Sequence, residues 1–341
     1  MKTQSALQSL IEQRDLSADE MRAVMREIMG GEATQAQIAA FLIALRLKGE
    51  TTTELAAAAE VMRELSDKVE VADRAHLVDT CGTGGDGSCT FNVSTASAFV
   101  AGAAGAKVAK HGNRSVSSAC GSADVLEALG VNVNLNASQI SECVSEIGVG
   151  FMFAPNHHRA MKFAAPVRKE LKVRTMFNLL GPMTNPAGAP NQVIGVFQQN
   201  LVAKFVQVLQ ILGSRHVLVV HGADGLDEIS IAGETRVAEL HDGRINEYTI
   251  KPNDFGIRTS QLSAIRVNNA EESKALLLSV LDNEAGPARD IVLMNAGAAI
   301  YAAGAAQTIA RGIERAARAV ESGGAKEKLR ALIKLTNQFK T

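Results

Sequence analysis

The chain has 341 residues, with 35 Lys and Arg against 36 Asp and Glu and a formal net charge of −1; this excludes the global basic footprint of a nucleic-acid-coating protein and the acidic bias of a disordered tail. Hydrophobic residues make up 46% and charged residues 21%, as in an ordinary globular protein, and a length past roughly 250 residues favours two domains over one core. Aromatics reach only 4%, with no Trp and two tyrosines, which argues against a stacking platform for single-stranded nucleic acid and points to small-molecule chemistry.

The opening Met1-Lys2-Thr3-Gln4-Ser5 carries no apolar leader, and no apolar run approaches the roughly 18 residues of a membrane span. A cytoplasmic protein with no membrane partner is expected. Cys81, Cys89, Cys120 and Cys143 form neither a C-x-x-C pair nor a zinc-ribbon spacing, so they read as reduced thiols.

Three helix-start signatures come first, Ser17-x-x-Glu20, Thr34-x-x-Gln37 and Thr51-x-x-Glu54, each able to satisfy orphan amides through a capping box. Apolar positions at helical spacing follow each: Ile38, Phe41, Leu42 and Leu45 before Gly49 in the second, and Leu55, Ala59, Met62 and Leu65 in the third. Residues 1–70 are therefore expected to form a small helical domain. Residues 75–341 are expected to form an α/β domain with a mostly parallel sheet, because short β-like runs now alternate with Ala-rich helical ones. Strands are expected at His76–Thr80, Lys107–Lys110, Gly150–Ala154, Val193–Phe197 and His216–His221, with helices at Ser94–Gly105, Ala123–Leu129, Ser138–Ile147 and Leu201–Leu212. From Glu271 onward the pattern predicts three or four further helices.

The chemistry concentrates in Asp79-Thr-Cys-Gly82-Thr-Gly84-Gly85-Asp86-Gly87, a glycine-rich loop between a strand and a helix start, where backbone amides favour an anion. A Walker A loop needs Lys and then Ser or Thr after its last glycine, but Ser88 and Cys89 stand there. A dinucleotide fold needs an acid some 20 residues on, yet none occurs from Gly87 through Ala123. Lys107, Lys110 and Arg114 in the same acid-free stretch suggest a second anion-binding loop facing the first, and hence a ligand with more than one phosphate. Alone, this second loop reads more simply as a basic surface turn.

Cys-Gly-Thr-Gly-Gly-Asp (81 to 86), Lys-His-Gly-Asn-Arg (110 to 114), Gly-Ser-Ala-Asp-Val-Leu-Glu-Ala-Leu-Gly (121 to 130), Val-Arg-Lys-Glu-Leu (167 to 171), Thr-Met-Phe-Asn-Leu-Leu-Gly-Pro-Met-Thr-Asn-Pro (175 to 186) and Asp227-Glu228 occur in that order. Together they resemble the anthranilate phosphoribosyltransferase family along nearly the whole chain. The resemblance implies transfer of the phosphoribosyl group of phosphoribosyl pyrophosphate to the amine of anthranilate, with release of pyrophosphate, in tryptophan biosynthesis. It further implies Mg²⁺ as cofactor, a nucleoside phosphorylase-like fold with a helical return near 165–180, and a homodimer formed through the helical part. It admits separate anthranilate synthase subunits as partners. Phosphoribosyl pyrophosphate would be met by Gly82, Gly85, Asp86, Thr90, Asn92, Ser94, Thr95, Lys110, His111, Gly112, Asn113, Arg114, Ser115, Ser117, Ser118 and Ser122. Anthranilate would be met by Gly82, Asn113, His158 and Arg168, and the metal by Ser94, Asp227 and Glu228. Lys110 and Arg168 are the expected catalytic pair, one facing the leaving group and one gripping the aryl carboxylate. Arg159 and Cys89 depart from the family pattern. His157 and His158 are adjacent, with no further ligand at spacing, and do not read as a metal pair.

The rival readings are a nucleoside phosphorylase-like enzyme and a non-catalytic homologue that binds a phosphate ligand or nucleic acid. The first would carry a different second motif, and the second would be expected to lose the Gly-Thr-Gly-Gly-Asp or Asp-Glu elements.

Overall fold

The computed structural model describes residues 2–115 and 120–339. Four helices open it: α1 (Thr3–Ile11), α2 (Ala18–Met29), α3 (Gln35–Lys48) and α4 (Thr52–Glu64). The last three start at the three capping boxes: Ser17, Thr34 and Thr51 accept the amides of Glu20, Gln37 and Glu54, whose side chains return to the cap amides. α1 has no side-chain cap, so no start signature announces it. Glu54 does more than cap. It is fully buried, and it accepts the Leu16 amide at 2.9 Å and the Lys48 ammonium at 3.0 Å, which supplies the pairing a buried charge requires.

The chain then alternates through β1 (Leu77–Gly82), α5 (Val93–Ala103), β2 (Lys107–Gly112), α6 (Ser122–Ala128), α7 (Ala137–Ile147) and β3 (Val149–Phe153). Short helices follow, α8 (Ala154–His157), α9 (Ala165–Leu171) and α10 (Phe177–Leu180), then β4 (Asn191–Gly195), α11 (Leu201–Ile211), β5 (His216–Gly222), β6 (Thr235–His241) and β7 (Arg244–Ile250). Four helices close the chain: α12 (Ala270–Leu281), α13 (Pro287–Ala302), α14 (Ile309–Glu321) and α15 (Gly324–Gln338). The strands form one sheet in the order β3-β2-β1-β4-β5-β6-β7. β1 to β5 are parallel, and β6 and β7 add on antiparallel.

The five strands expected from the sequence are the five parallel ones. The β6–β7 hairpin escapes that reading because charged residues interrupt its alternation; the signal it carries is Asp242-Gly243, with φ of +45° and +82°, the two positive values of a type I′ turn. One core lies between the sheet and α5, α6, α7 and α12 to α15. The other spreads over the opposite face, where α11 packs on β5 and β6 and α4 packs on α11; α9 joins it against α3, and α10 against α4.

At the antiparallel edge, the buried Glu239 carboxylate meets His216 Nε2 at 2.8 Å and accepts the hydroxyls of Tyr301 at 2.7 Å and Tyr248 at 2.8 Å. The His216 and His241 rings stack at 4.0 Å and 4°. Parallel rings keep their in-plane lone pairs from converging on one ion, so this cluster stitches β5, β6, β7 and α13 together. Burial alone would raise the Glu239 carboxyl, but these hydrogen bonds outweigh it and hold it at about 2, below the usual 4.5. A lowered folded value means stability that is present above pH 4.5 and lost as the pH falls through about 2. Glu239→Gln is expected to flatten the acid limb of the stability curve between those pH values in urea unfolding; an unchanged limb would assign it to other carboxylates.

Candidate active site

The crevice opens at the point in the parallel part of the sheet where the order of strands reverses. β1 pairs with β2 on one side and with β4 on the other; the chain fills β2 and β3 first and returns for β4, so the loops leaving β1 and β4 part at their C-terminal ends. The glycine-rich loop leaves β1 there. Gly84, Gly85 and Gly87 stand at φ of +65°, +78° and +74°, a region side-chain-bearing residues rarely adopt. Among the described residues, the amides of Gly85, Asp86 and Gly87 have no hydrogen-bond partner, and the N-terminus of α5 follows. Such a surface suits a phosphate.

The loop is pinned on its far side. Thr83 donates its amide to the Gly195 carbonyl at 2.9 Å, Gly84 to Asp227 Oδ2 at 2.8 Å, and Ser94 to Glu228 Oε1 at 3.1 Å. Asp227 and Glu228 lie in the loop after β5. They come this close because two strand ends carry no side chain: a Cβ on Gly82 would stand 2.5 Å from Asp227 Oδ2, and one on Gly195 only 1.4 Å from the Asp227 carbonyl oxygen. Gly195 is absent from the sequence-derived site, although an isolated glycine inside the strand pattern Val-Ile-Gly-Val-Phe is itself a sign of close backbone approach.

Asp227 and Glu228 are partly buried, and both carboxyls are pushed upward. Burial is the first cause for each; the second is the charge of Asp86 for Asp227, and of Asp227 for Glu228. Asp86 Oδ2 is buried with no partner. Three acids crowded together thus lack positive charge. Lys110 supplies part of it: nearly fully buried, its ammonium donates to Ser94 Oγ at 3.0 Å and to the Thr80 carbonyl, and its charge opposes the upward shift of Glu228. A hard divalent cation fits the remainder, since oxygen donors and few protein ligands are what Mg²⁺ takes.

The rest of the expected phosphate site divides. Gly112 lies against Ser122, where a Cβ would stand 3.2 Å from the hydroxyl, and Thr90 is partly exposed on the loop. Asn92 uses its amide group on the Cys120 carbonyl at 3.2 Å and Ser273 at 2.7 Å, so it braces the loop against α12. Ser115 donates its amide to Asp124 at 3.0 Å. Ser117 and Ser118 lie outside the described residues.

Thr95 is 1% exposed, with its hydroxyl buried and unpartnered among the described residues, and its amide bonds the Asn92 carbonyl in the first turn of α5. Arg114 is no free cation, because Asp124 at 3.1 Å and Glu127 at 2.7 Å already neutralise it. Lys107 opens β2 at the N-terminal end of the strand, away from the crevice, and pairs with Asp73, roughly 10 Å of extended chain from Lys110. The second basic loop therefore carries less positive charge than its composition suggests.

On the acceptor side, Arg168 sits on α9, half-buried, with its guanidinium 5.7 Å from the Phe177 ring. Burial lowers its pKa, and among the described residues no carboxylate lies within ion-pair distance of it. A half-buried cation without a counter-ion is a receptor for an anion. Asn113 is exposed nearby in sequence to His111, whose Nδ1 meets the Gly181 carbonyl at 3.2 Å, making Nδ1 the donor and leaving Nε2 as an acceptor. The His111 and His158 rings stand 5.1 Å apart, and both Nε2 atoms are buried without a partner. Burial, then neighbouring imidazole charge, pushes both rings down, His158 to about 4, so both are neutral at pH 7.

The Thr175 to Pro186 segment holds this from below. Asn185 donates to the fully buried Asp79 at 2.7 Å and to the Ala109 carbonyl at 2.9 Å, while Asp79 accepts the His111 amide at 3.0 Å. Burial raises the Asp79 carboxyl, and Lys110 and these hydrogen bonds oppose the rise.

A helical bundle joined to an α/β unit with a phosphate crevice at the switch point defines a class, and comparison with known proteins gives the same one. Residues 4–66 match the helical bundle domain, and residues 74–326 the a/b domain, of a glycosyl transferase family. Over 339 residues the chain is 57% identical to the anthranilate phosphoribosyltransferase of Nitrosomonas eutropha, covering 99% of each. The crystal structure of the Thermus thermophilus anthranilate phosphoribosyltransferase superposes with a TM-score of 0.92 at 42% identity, covering 97% of this chain and 99% of that one. The Saccharomyces cerevisiae enzyme in complex with phosphoribosyl pyrophosphate and Mg gives 0.90 at 27% identity, covering 99% and 98%. The chain belongs to the anthranilate phosphoribosyltransferase family.

Proposed function

We infer that the chain transfers the phosphoribosyl group of phosphoribosyl pyrophosphate to the amine of anthranilate, giving N-(5-phosphoribosyl)anthranilate and pyrophosphate in tryptophan biosynthesis. The observation that carries this is the glycine-rich loop with free amides, held directly against the Asp227-Glu228 pair. The residues divide the work. The amides of Gly85, Asp86 and Gly87 and the start of α5 bind phosphate oxygens; Gly82, Thr90, Ser94, Lys110 and Ser122 complete that wall. Arg168 grips the aryl carboxylate, with Asn113, His111 and His158 around the ring.

The amine is neutral at pH 7 and needs orientation more than a strong base. Its nitrogen bonds to the anomeric carbon, the bond from that carbon to pyrophosphate breaks, and the nitrogen then loses a proton, for which the neutral ring nitrogens of His111 and His158 are acceptors. Negative charge grows on the leaving group, where Lys110 and the loop amides stabilise it. Ser94, Asp227 and Glu228, beside Asp86, would hold Mg²⁺, which when bound supplies positive charge to the departing oxygens.

Residues 1–70 with the return near 165–180 are proposed as one working unit, and 75–341 as the donor-binding domain. Ile11 and Leu47, 62% and 77% exposed on α1 and α3, support a homodimer through that helical part. No helix among the described residues is long and apolar enough to cross a membrane, and a cytoplasmic location follows from the pathway. A pyrimidine or nucleoside acceptor would give Arg168 no carboxylate to meet. Arg168→Ala is expected to raise the KM for anthranilate on the order of a hundredfold, the scale of a lost charge-assisted contact, with the KM for phosphoribosyl pyrophosphate within about threefold. Equal changes in steady-state kinetics for both substrates would assign Arg168 a structural role.

A further inference from the structure

We propose that Arg174 is a positioning residue for the donor substrate, latching the glycine-rich loop in the conformation that turns its amides toward the diphosphate. In sequence Arg174 is one charge among several in a basic stretch. In the fold its guanidinium lies 4.0 Å from the Phe197 ring just beyond β4 and donates through Nη2 to the Gly85 carbonyl. A Cβ on Gly85 would stand 3.1 Å from that nitrogen, so the guanidinium is sandwiched between an aromatic face and a bare glycine.

The consequence follows from peptide geometry. The Gly85–Asp86 bond is trans, and in a planar trans peptide the carbonyl and the next N–H point in opposite directions. Holding the Gly85 carbonyl on Arg174 therefore aims the Asp86 amide away from it, and that amide has no partner among the described residues. The latch is itself anchored in the helical unit. Arg174 follows α9, which carries Arg168, and its own carbonyl accepts from Arg46 of α3. One residue thus connects the helical unit, the acceptor-binding helix and the phosphate loop.

The proposal rests on the glycine loop being the phosphoribosyl pyrophosphate site, and the test separates the two. Wild type, Arg174→Ala, Arg174→Lys and Phe197→Leu are compared for both KM values, kcat and melting temperature. Arg174→Ala is expected to raise the KM for phosphoribosyl pyrophosphate about tenfold or more, with the anthranilate KM within about twofold and an unchanged melting temperature. Arg174→Lys, which keeps a donor but not the planar stack, and Phe197→Leu, which keeps the donor but not the aromatic face, should fall between. Wild-type turnover with an unchanged donor KM in Arg174→Ala would overturn the latch alone. A rise confined to anthranilate would make Arg174 an acceptor contact, and a lowered melting temperature with all constants altered would make it a scaffold residue; either overturns the proposal. Absence of wild-type turnover would overturn the reading of the site itself, and the latch with it.

Discussion

Gly195→Ala is expected to cut kcat/KM by about a hundredfold or more while leaving the sheet intact. The added methyl would lie 1.4 Å from the carbonyl oxygen of Asp227 and 2.2 Å from its carbonyl carbon. These are backbone atoms, so no side-chain rotation relieves the overlap, and the loop after β5 must move by an ångström or more. That loop delivers Asp227 to the Gly84 amide and Glu228 to the Ser94 amide, so both anchors of the phosphate loop shift together. Misplacement of about 1 Å costs on the order of a hundredfold in rate, and overpacking costs roughly 1–3 kcal/mol of stability. Steady-state kinetics should show kcat/KM down by at least about a hundredfold, and thermal unfolding a lowered but cooperative transition. Gly233→Ala is the control, because a Cβ there meets nothing within 4 Å. Wild-type kinetics in Gly195→Ala would mean that the loop adapts and that its position matters little.

The double variant Asp227→Asn with Glu228→Gln tests the carboxylates as charges rather than shapes. Both replacements keep an oxygen that can accept from Gly84 and Ser94, so the loop should stay docked. What is lost is the negative charge that a divalent cation needs, and metal-dependent turnover is expected to fall by about a thousandfold or more. Stability should move the other way. Burial pushes both carboxyls upward in the folded chain, with the charge of Asp86 adding to it for Asp227 and that of Asp227 for Glu228, so neutral isosteres relieve a cost and the melting temperature should hold or rise. Rates like those of wild type at limiting Mg²⁺ would remove Asp227 and Glu228 from metal binding.

Local features were legible in the sequence. The capping boxes at Ser17, Thr34 and Thr51 are made within one turn, and the five parallel strands announce themselves by short apolar runs between glycine-stopped helices. The glycine loop was legible because its conformation is a property of its own residues. Features that depend on where distant segments cross were not. Asp79 and Asn185 are 106 residues apart, and nothing in either neighbourhood announces that they meet beneath His111. Gly195 matters only because the Asp227 backbone passes over it, and Arg174 because its carbonyl and guanidinium find partners in α3 and the glycine loop. The same limit applies to charge: Lys107 and Arg114 read as cations of one loop by proximity in sequence, but β2 holds Lys107 at its other end beside Asp73, and α6 brings Asp124 and Glu127 to Arg114.

Anthranilate fluorescence followed over time, with purified protein, phosphoribosyl pyrophosphate and Mg²⁺ and a parallel EDTA reaction, measures the phosphoribosyl transfer itself. A loss of signal that requires the protein and both substrates and stops on chelation is the result expected. No loss, in protein that still binds phosphoribosyl pyrophosphate, would contradict the assignment and give the acceptor pocket around Arg168 to another amine or to a nucleobase.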